Sequence, residues 1–267
     1  GLSDNSLGDG GLAANPLNLA TGVHLGTSGG AMTGGIYVNS GSNSGSGNPV
    51  SVALAGGSTA QYTITISGAV STVTVNRATQ QTTLLPAGGT ASTYTGLPNG
   101  MFFVNGQVAS LAGTLQRDTQ ATIAATNDVI LTNSLVYENY TGGSTPSAEG
   151  TTNLLGIMSW GGNVRIGSTA PNDISIHATI MSPAHEIRVD GHDSGSSRGT
   201  ATILGGVIEN SYGPFGTFGS SITGYGRNFV YDTRMRRGMS PPFFPTIARV
   251  IPTVTGFNDR PNWQPTD

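Results

Sequence analysis

Met101-Phe102-Phe103-Val104-Asn105-Gly106-Gln107-Val108-Ala109-Ser110-Leu111-Ala112-Gly113-Thr114-Leu115 is followed a few residues later by Ala121-Thr122-Ile123-Ala124-Ala125-Thr126-Asn127-Asp128-Val129-Ile130-Leu131-Thr132-Asn133-Ser134-Leu135-Val136-Tyr137. Short apolar runs alternate with Gly, Asn, Asp and Ser. Alternation over a few residues predicts strands, and the spacers predict tight turns. No run has the i, i+3, i+4 spacing and length that a helix needs. The stretch also repeats. Asn127-Asp128-Val129-Ile130-Leu131 with Leu135-Val136 matches Asn172-Asp173-Ile174-Ser175-Ile176 with Ile180-Met181, and Asn163-Val164-Arg165-Ile166 is a partial copy between them. A gapless repeat of this length reads as two turns of a β-solenoid, at roughly 20 to 25 residues per turn.

Working outward, Gly35-Ile36-Tyr37-Val38-Asn39 has the same apolar, aromatic, Val, Asn pattern as Met101 to Asn105. Between the two copies the texture changes. Tyr62-Thr63-Ile64-Thr65-Ile66 and Val73-Thr74-Val75 alternate at period two, with Gly68-Ala69 in their connection, so an antiparallel meander is predicted there. The inward face of the coils is expected to hold Val104, Val108, Ile123, Val129, Leu131, Leu135, Ile157, Val164, Ile166, Ile174, Ile176, Ile180, Ile187, Val189, Ile203 and Ile208. Asn105, Asn127, Asn163 and Asn172 mark turn positions.

The predicted fold is all-β: a right-handed β-solenoid (β-helix) with an inserted antiparallel β-meander and an irregular C-terminal cap. Its division is 1–49, an N-terminal extended segment and first coil; 50–99, the meander; 100–223, the solenoid coils; and 224–267, an Arg-, aromatic- and Pro-rich cap with a tail. Pro241, Pro242 and Pro245 forbid a helix or central strand in the cap. A β-sandwich or jelly roll is the second fold compatible with the spacing.

Composition narrows the function. The chain has 267 residues, 9 % of them charged and 41 of them Gly, whereas about a quarter of an ordinary chain is charged. All 11 basic residues are Arg, and there is no Cys, so disulfides and thiolate metal sites are excluded. A net charge of −3 without a basic tract offers a nucleic-acid backbone little. No apolar run approaches the roughly 20 residues that span a bilayer. No signal peptide is read at Gly1-Leu2-Ser3, and the export or anchoring segment is expected to have been cleaved or to lie outside this chain. A Lys-free surface of Ser, Thr, Asn and Gly fits an extracellular protein on a bacterial surface. One sequon, Asn139-Tyr140-Thr141, is present.

The chain also resembles a family. Ala121 to Leu131, Leu155-Gly156-Ile157, Gly205-Gly206-Val207-Ile208-Glu209-Asn210, Gly224-Tyr225-Gly226-Arg227, Tyr231-Asp232-Thr233-Arg234 and Pro242-Phe243-Phe244-Pro245 look like the bacterial domain of unknown function 4900 (DUF4900). The resemblance runs from about Gly34 to Pro245 and is most specific in the C-terminal series. It implies an exported, solenoid-like surface protein, often behind a pilin-like N-terminal helix that this chain lacks. It implies no catalytic residues and no cofactor.

Chemistry is sparse. Asp190-Gly191-His192-Asp193, preceded by His185-Glu186, is the best enzymatic candidate, because glycosidic cleavage needs two carboxyls at a defined separation. His185, Asp190, His192 and Asp193 are also the candidate metal ligands. Alternation of Glu186, Arg188 and Asp190 around Ile187 and Val189 explains the same residues as a solvated strand face. We therefore expect no enzyme, no metal and no cofactor.

Charge placement is more informative. Residues 1–223 carry 5 Arg and 11 acidic residues, whereas 224–267 carry 6 Arg and 3 Asp. A basic end meeting the acidic body of the next subunit would propagate head to tail. The expected function is a secreted structural subunit of an extracellular filament or surface assembly, with other copies of itself as partners. Expected assembly contacts are Arg227, Arg234, Arg236 and Arg237 in the cap, Leu12, Leu17 and Leu19 near the start, and Val250, Ile251 and Val254 in the tail. The alternatives are an adhesin or carbohydrate-binding module that meets surface glycans through Tyr137, Tyr140, Trp160, Tyr212 and Phe215, and a polysaccharide-cleaving β-helix enzyme.

Overall fold

The computed structural model describes residues 19–41, 48–140, 146–219 and 221–245. Among them there is no α-helix, and seventeen strands join one hydrogen-bonded sheet. The all-β expectation holds.

Strand β1 (Gly22–Ser28) and β2 (Ala31–Asn39) form a hairpin. Its turn is Gly29-Gly30, with φ of 57° and 80°, a left-handed pair that a side chain would strain. Next come β3 (Val50–Ala55), β4 (Ala60–Ile66), β5 (Ala69–Asn76), β6 (Gln81–Leu85) and β7 (Ser92–Thr95), paired antiparallel in chain order. This is the expected meander, with Tyr62, Ile64, Ile66, Val73 and Val75 buried and the intervening Thr residues toward solvent. The β4–β5 turn is Ser67-Gly68, one residue earlier than Gly68-Ala69. Ile66 pairs with Ala69, which leaves a two-residue loop with φ of 49° and 85°.

The remaining strands are β8 (Met101–Asn105), β9 (Val108–Leu115), β10 (Gln120–Ala125), β11 (Val129–Tyr137), β12 (Leu154–Ser159), β13 (Val164–Ile166), β14 (Ser175–Val189), β15 (Ser197–Ser211), β16 (Gly216–Thr217) and β17 (Thr223–Tyr231). Apart from the short β16, they pair in parallel, in three ladders. In the first, Ile36, Phe102, Ile123, Ile157, Ile180 and Val207 stand side by side. In the second, Val50, Val108, Val129, Val164 and Ile187 do so. In the third, the row is Leu54, Gly113, Leu135, Ile176, Ile203 and Phe229. The chain visits the three ladders in the same order on every circuit. Strands β14 and β15, each 15 residues long, pass from one ladder to the next without a break in strand structure.

β-Branched side chains fill these rows because they pack well on a pleated surface buried on one side. Val50, Val108, Val129 and Val164 are all fully buried. Each such side chain stabilises the fold by roughly 1.5–3 kcal/mol relative to exposure. Close approach of neighbouring strands fixes some glycines as well. A Cβ on Gly205 would lie 2.0 Å from the Ala178 carbonyl oxygen.

Three expectations change. The copy at Asn172 to Ile176 does not stack on Asn127 to Leu131: Ile176 pairs with Leu135 in the third ladder. The true neighbour of Val129 to Leu131 is Val164 to Ile166, the partial copy. Ile208 is 44 % exposed rather than inward, because its neighbour Val207 takes the place beside Ile180. Tyr225 to Tyr231 is a strand and not part of an irregular cap, since it pairs with β15 along Thr200 to Gly205. Val50–Ala55 has two neighbours, β9 in parallel and β4 antiparallel, so the meander is rooted in the second ladder itself.

Candidate functional site

The two ends of the ladders differ. At the start, β1 lies antiparallel on β2 and β4 lies antiparallel on β3, and β1 in turn has β2 as its single strand neighbour among the described residues. At the finish, β17 has β15 and, at Thr223 and Gly224, β16 as neighbours. Beyond Gly224, its other edge meets no strand among the described residues. A strand edge of this kind presents unpaired N–H and C=O groups.

Side chains reinforce the contrast. Nine large hydrophobic residues are exposed among those described, and six of them, Ile208, Tyr212, Phe218, Ile222, Phe229 and Tyr231, lie between residues 208 and 231. Phe229 occupies the same row as the buried Ile203 and is 43 % exposed, because no further strand covers it. Its ring meets Phe215 edge-on at 5.5 Å. A groove of about 240 Å³ runs here between Val207 and Phe229 to Tyr231, floored by Gly205 and Gly206.

After β17 the chain forms a strap. Asp232 caps a 3-10 helix, Thr233–Arg237. Arg234 donates from Nε and Nη2 to the Asp232 carboxylate, at 2.6 Å for the shortest bond, and from Nη1 to the Thr151 carbonyl at 2.9 Å. Both partners are almost wholly buried, at 2 % and 3 %. Arg237 reaches Glu149 at 2.6 Å; this bond, then one from Thr233, holds the Glu149 carboxyl below the usual range. Met235 lies against Thr179 and Gly206. Farther on, Thr122 Oγ1 donates to the Pro242 carbonyl, Pro242 packs beside Gly100, and the Phe244 ring packs beside Gly156. The strap therefore runs back along the outside of the first ladder, from β15 to the level of β8 and β10. Glycine at 100 and 156 leaves it room, since a Cβ there would lie 2.7 Å from Pro242 and 2.5 Å from Phe244.

The expected assembly contacts divide. Arg234 is buried in an ion pair with Asp232. Arg227 lies over the rings of Tyr212 (4.1 Å) and Phe215 (4.7 Å) and donates to the Gly213 carbonyl. Arg236 is exposed beside the Tyr231 ring, 5.6 Å away, and Arg237 is exposed beside Glu149. Leu19 is half-buried, and its carbonyl accepts a bond from Asn39. Leu12, Leu17, Val250, Ile251 and Val254 lie outside the described residues.

The chemical candidates do not converge. Asp190 accepts from Arg165 at 2.8 and 2.7 Å, and the same guanidinium reaches Asp128 at 2.9 Å. His185 and Asp193 are exposed, and His192 contributes only its carbonyl, to Thr223. Among the described residues no three His, Cys, Asp or Glu side chains come together as metal ligands. His185, Asp190, His192 and Asp193 are thus a strand face and its turn, as alternation suggested. Of the aromatic platforms, Tyr137 and Phe215 are buried, Tyr140 and Trp160 are half-buried, and Tyr212 is open.

His177 lies in strand β14. It is buried, packs edge-on to Tyr137 and Tyr140, and accepts the Tyr137 N–H at Nδ1. Burial lowers its pKa to about 4. Its alternation with Ile176 and Ala178 was visible, but the aromatic pair that encloses it comes from another circuit. Phe229 and Tyr231 were missed as exposed groups, because nothing in a strand's pattern tells which strand is last.

No family model, curated protein or solved structure matches this chain. It is an all-β protein built on parallel ladders, and among the described residues no helix is long and apolar enough to cross a membrane.

Proposed function

We propose that the protein is a structural subunit of an extracellular or cell-surface assembly, joined head to tail to copies of itself. The single observation that carries this is the finish of the ladders, where an open strand edge lies among six of the nine exposed large hydrophobic residues, with none of them on β1 or β2. Exposed apolar patches of this kind mark interaction surfaces. A contact between unlike ends propagates unless it closes into a ring. In this reading the ladders form a right-handed β-solenoid, the hand that parallel crossovers favour. The DUF4900 resemblance, the Lys-free surface and surface location belong to the same proposal. The glycan-binding alternative has lost two of its five platforms to burial, and the polysaccharide-cleaving one has lost Asp190 to Arg165.

Negative-stain electron microscopy over a concentration series, with sedimentation alongside, tests the reading. Regular fibres that lengthen with concentration are expected. A monomer at every concentration overturns it.

A further inference from the structure

Resting on that reading, we propose that the open edge of β17 is filled by residues 246–251 of another copy of the chain, so that each subunit donates a strand to its neighbour. Along residues 226–231 the edge offers main-chain groups without a strand partner among the described residues, flanked by Phe229 and Tyr231. Strand addition to such an edge draws affinity from main-chain hydrogen bonds and specificity from alternate side chains.

Two terminal segments of this chain lie outside the described residues, and their compositions differ. Residues 1–18 contain no β-branched or aromatic residue and four Gly. Thr246-Ile247-Ala248-Arg249-Val250-Ile251-Pro252-Thr253-Val254-Thr255 has seven β-branched residues in ten. Such residues favour strands. Pro252 is tolerated at a strand end or on an edge strand. The tail is the better donor.

The strap decides whose edge the tail reaches. Phe244 packs at Gly156, on β12. From β12, the strands β14, β15 and β17 follow, and a strand added beyond β17 stands one step farther. Four steps at the usual strand spacing come to about 19 Å. Thr246 is two residues past Phe244, a reach of about 7 Å at full extension. A strand that starts at Thr246 therefore falls short of its own β17. The strap has already carried the chain back toward the start, where a head-to-tail neighbour presents its open finish.

The native chain has no Cys, so two full-length variants, Tyr231→Cys and Val250→Cys, can be mixed and treated with a short bis-maleimide. A link between residues 231 and 250 of two different chains, confined to the fibre fraction, is expected. A synthetic peptide of residues 246–255, added in excess to the unmodified full chain, should shorten the fibres. An Ile247→Asp version of the peptide should be about tenfold weaker, as burial of one aliphatic side chain implies. Fibres that form without the link and ignore the peptide overturn this inference and leave the polymer reading standing. So does a link found only within one chain, in the double variant mixed with isotopically labelled unmodified protein. Absence of fibres from the unmodified protein overturns both.

Discussion

Asn39 and Asn105 stand opposite each other in the first ladder, 66 residues apart in the chain, and the Asn105 side-chain amide donates to Asn39 Oδ1 at 3.2 Å. Asn39 also donates to the Leu19 carbonyl at 2.7 Å and accepts from the Gly41 N–H at 3.1 Å. One buried side chain thus ties the entry to β1, the end of β2 and the next circuit together. Asn39→Ala would leave buried polar groups without these bonds. We expect a loss of about 1–3 kcal/mol, read by urea denaturation. An unchanged midpoint would remove the role given to this pair.

Arg234→Met strands the Asp232 carboxylate in the interior. Breaking a buried pair from one side costs about 3–5 kcal/mol. The double variant Asp232→Asn/Arg234→Met should recover part of that loss, because no charge then remains buried. Equal melting temperatures for the single and double variants would show that the pair does not act as a unit.

Gly156→Ala places a Cβ 2.5 Å from the Phe244 ring and 2.9 Å from Thr122 Oγ1. The ring belongs to the strap and is the part free to give way. Overpacking of this kind costs about 1–3 kcal/mol. Limited trypsin digestion should then cut faster at Arg236 and Arg237 while the far-ultraviolet β signal persists. Unchanged cleavage kinetics would detach the strap from this glycine.

Arg165 neutralises two carboxylates, Asp128 just before β11 and Asp190 just after β14, with side-chain exposures of 24 %, 17 % and 20 %. The two Asp–Arg bonds hold the Arg165 pKa above its ordinary value, the Asp190 hydrogen bond most of all, against the opposing effect of burial. Arg165→Leu leaves the acids facing each other. A stability loss of about 1–3 kcal/mol, reduced at high salt, is expected. No loss at low ionic strength would contradict it.

His177 makes stability depend on acid. Its pKa is about 4 in the fold and near 6.5 in the unfolded chain. Above pH 6.5 it is neutral in both states and costs nothing. Between pH 6.5 and 4 only the unfolded chain takes up the proton, so stability falls by about 3 kcal/mol across that window. His177→Asn should flatten this part of the profile, measured by denaturation at several pH values. An identical slope in the variant would assign the acid sensitivity elsewhere.

Much of the fold was legible in particular residues. Gly35 to Asn39 and Met101 to Asn105 match in pattern, and Ile36 pairs with Phe102 and Asn39 with Asn105 in that same register. Parallel stacking sets like beside like, so a repeated pattern is a pairing rule. The Tyr62 to Ile66 alternation gave the buried face of the meander for a similar reason. The repeat at Asn172 misled because circuits differ in length. Phe102, Ile123, Ile157, Ile180 and Val207 are successive steps of one row at unequal intervals, so constant spacing in sequence is not constant position in space.

The candidate site was less legible. Clustered Arg residues at the C-terminal end pointed to the stretch that also holds the exposed Phe229 and Tyr231, although Arg234 is spent on Asp232. Period-two alternation, turn-forming Gly and Asn, and the absence of Cys and Lys are local or compositional, and the sequence by itself determined from them an all-β chain with an antiparallel meander set among repeated strands. Only the tertiary structure decided which strand is last, which row Phe229 closes, and that the strap turns back along the first ladder. Those are facts about what lies next to what across many residues, and burial or exposure of a side chain depends on neighbours that its own stretch of sequence does not contain.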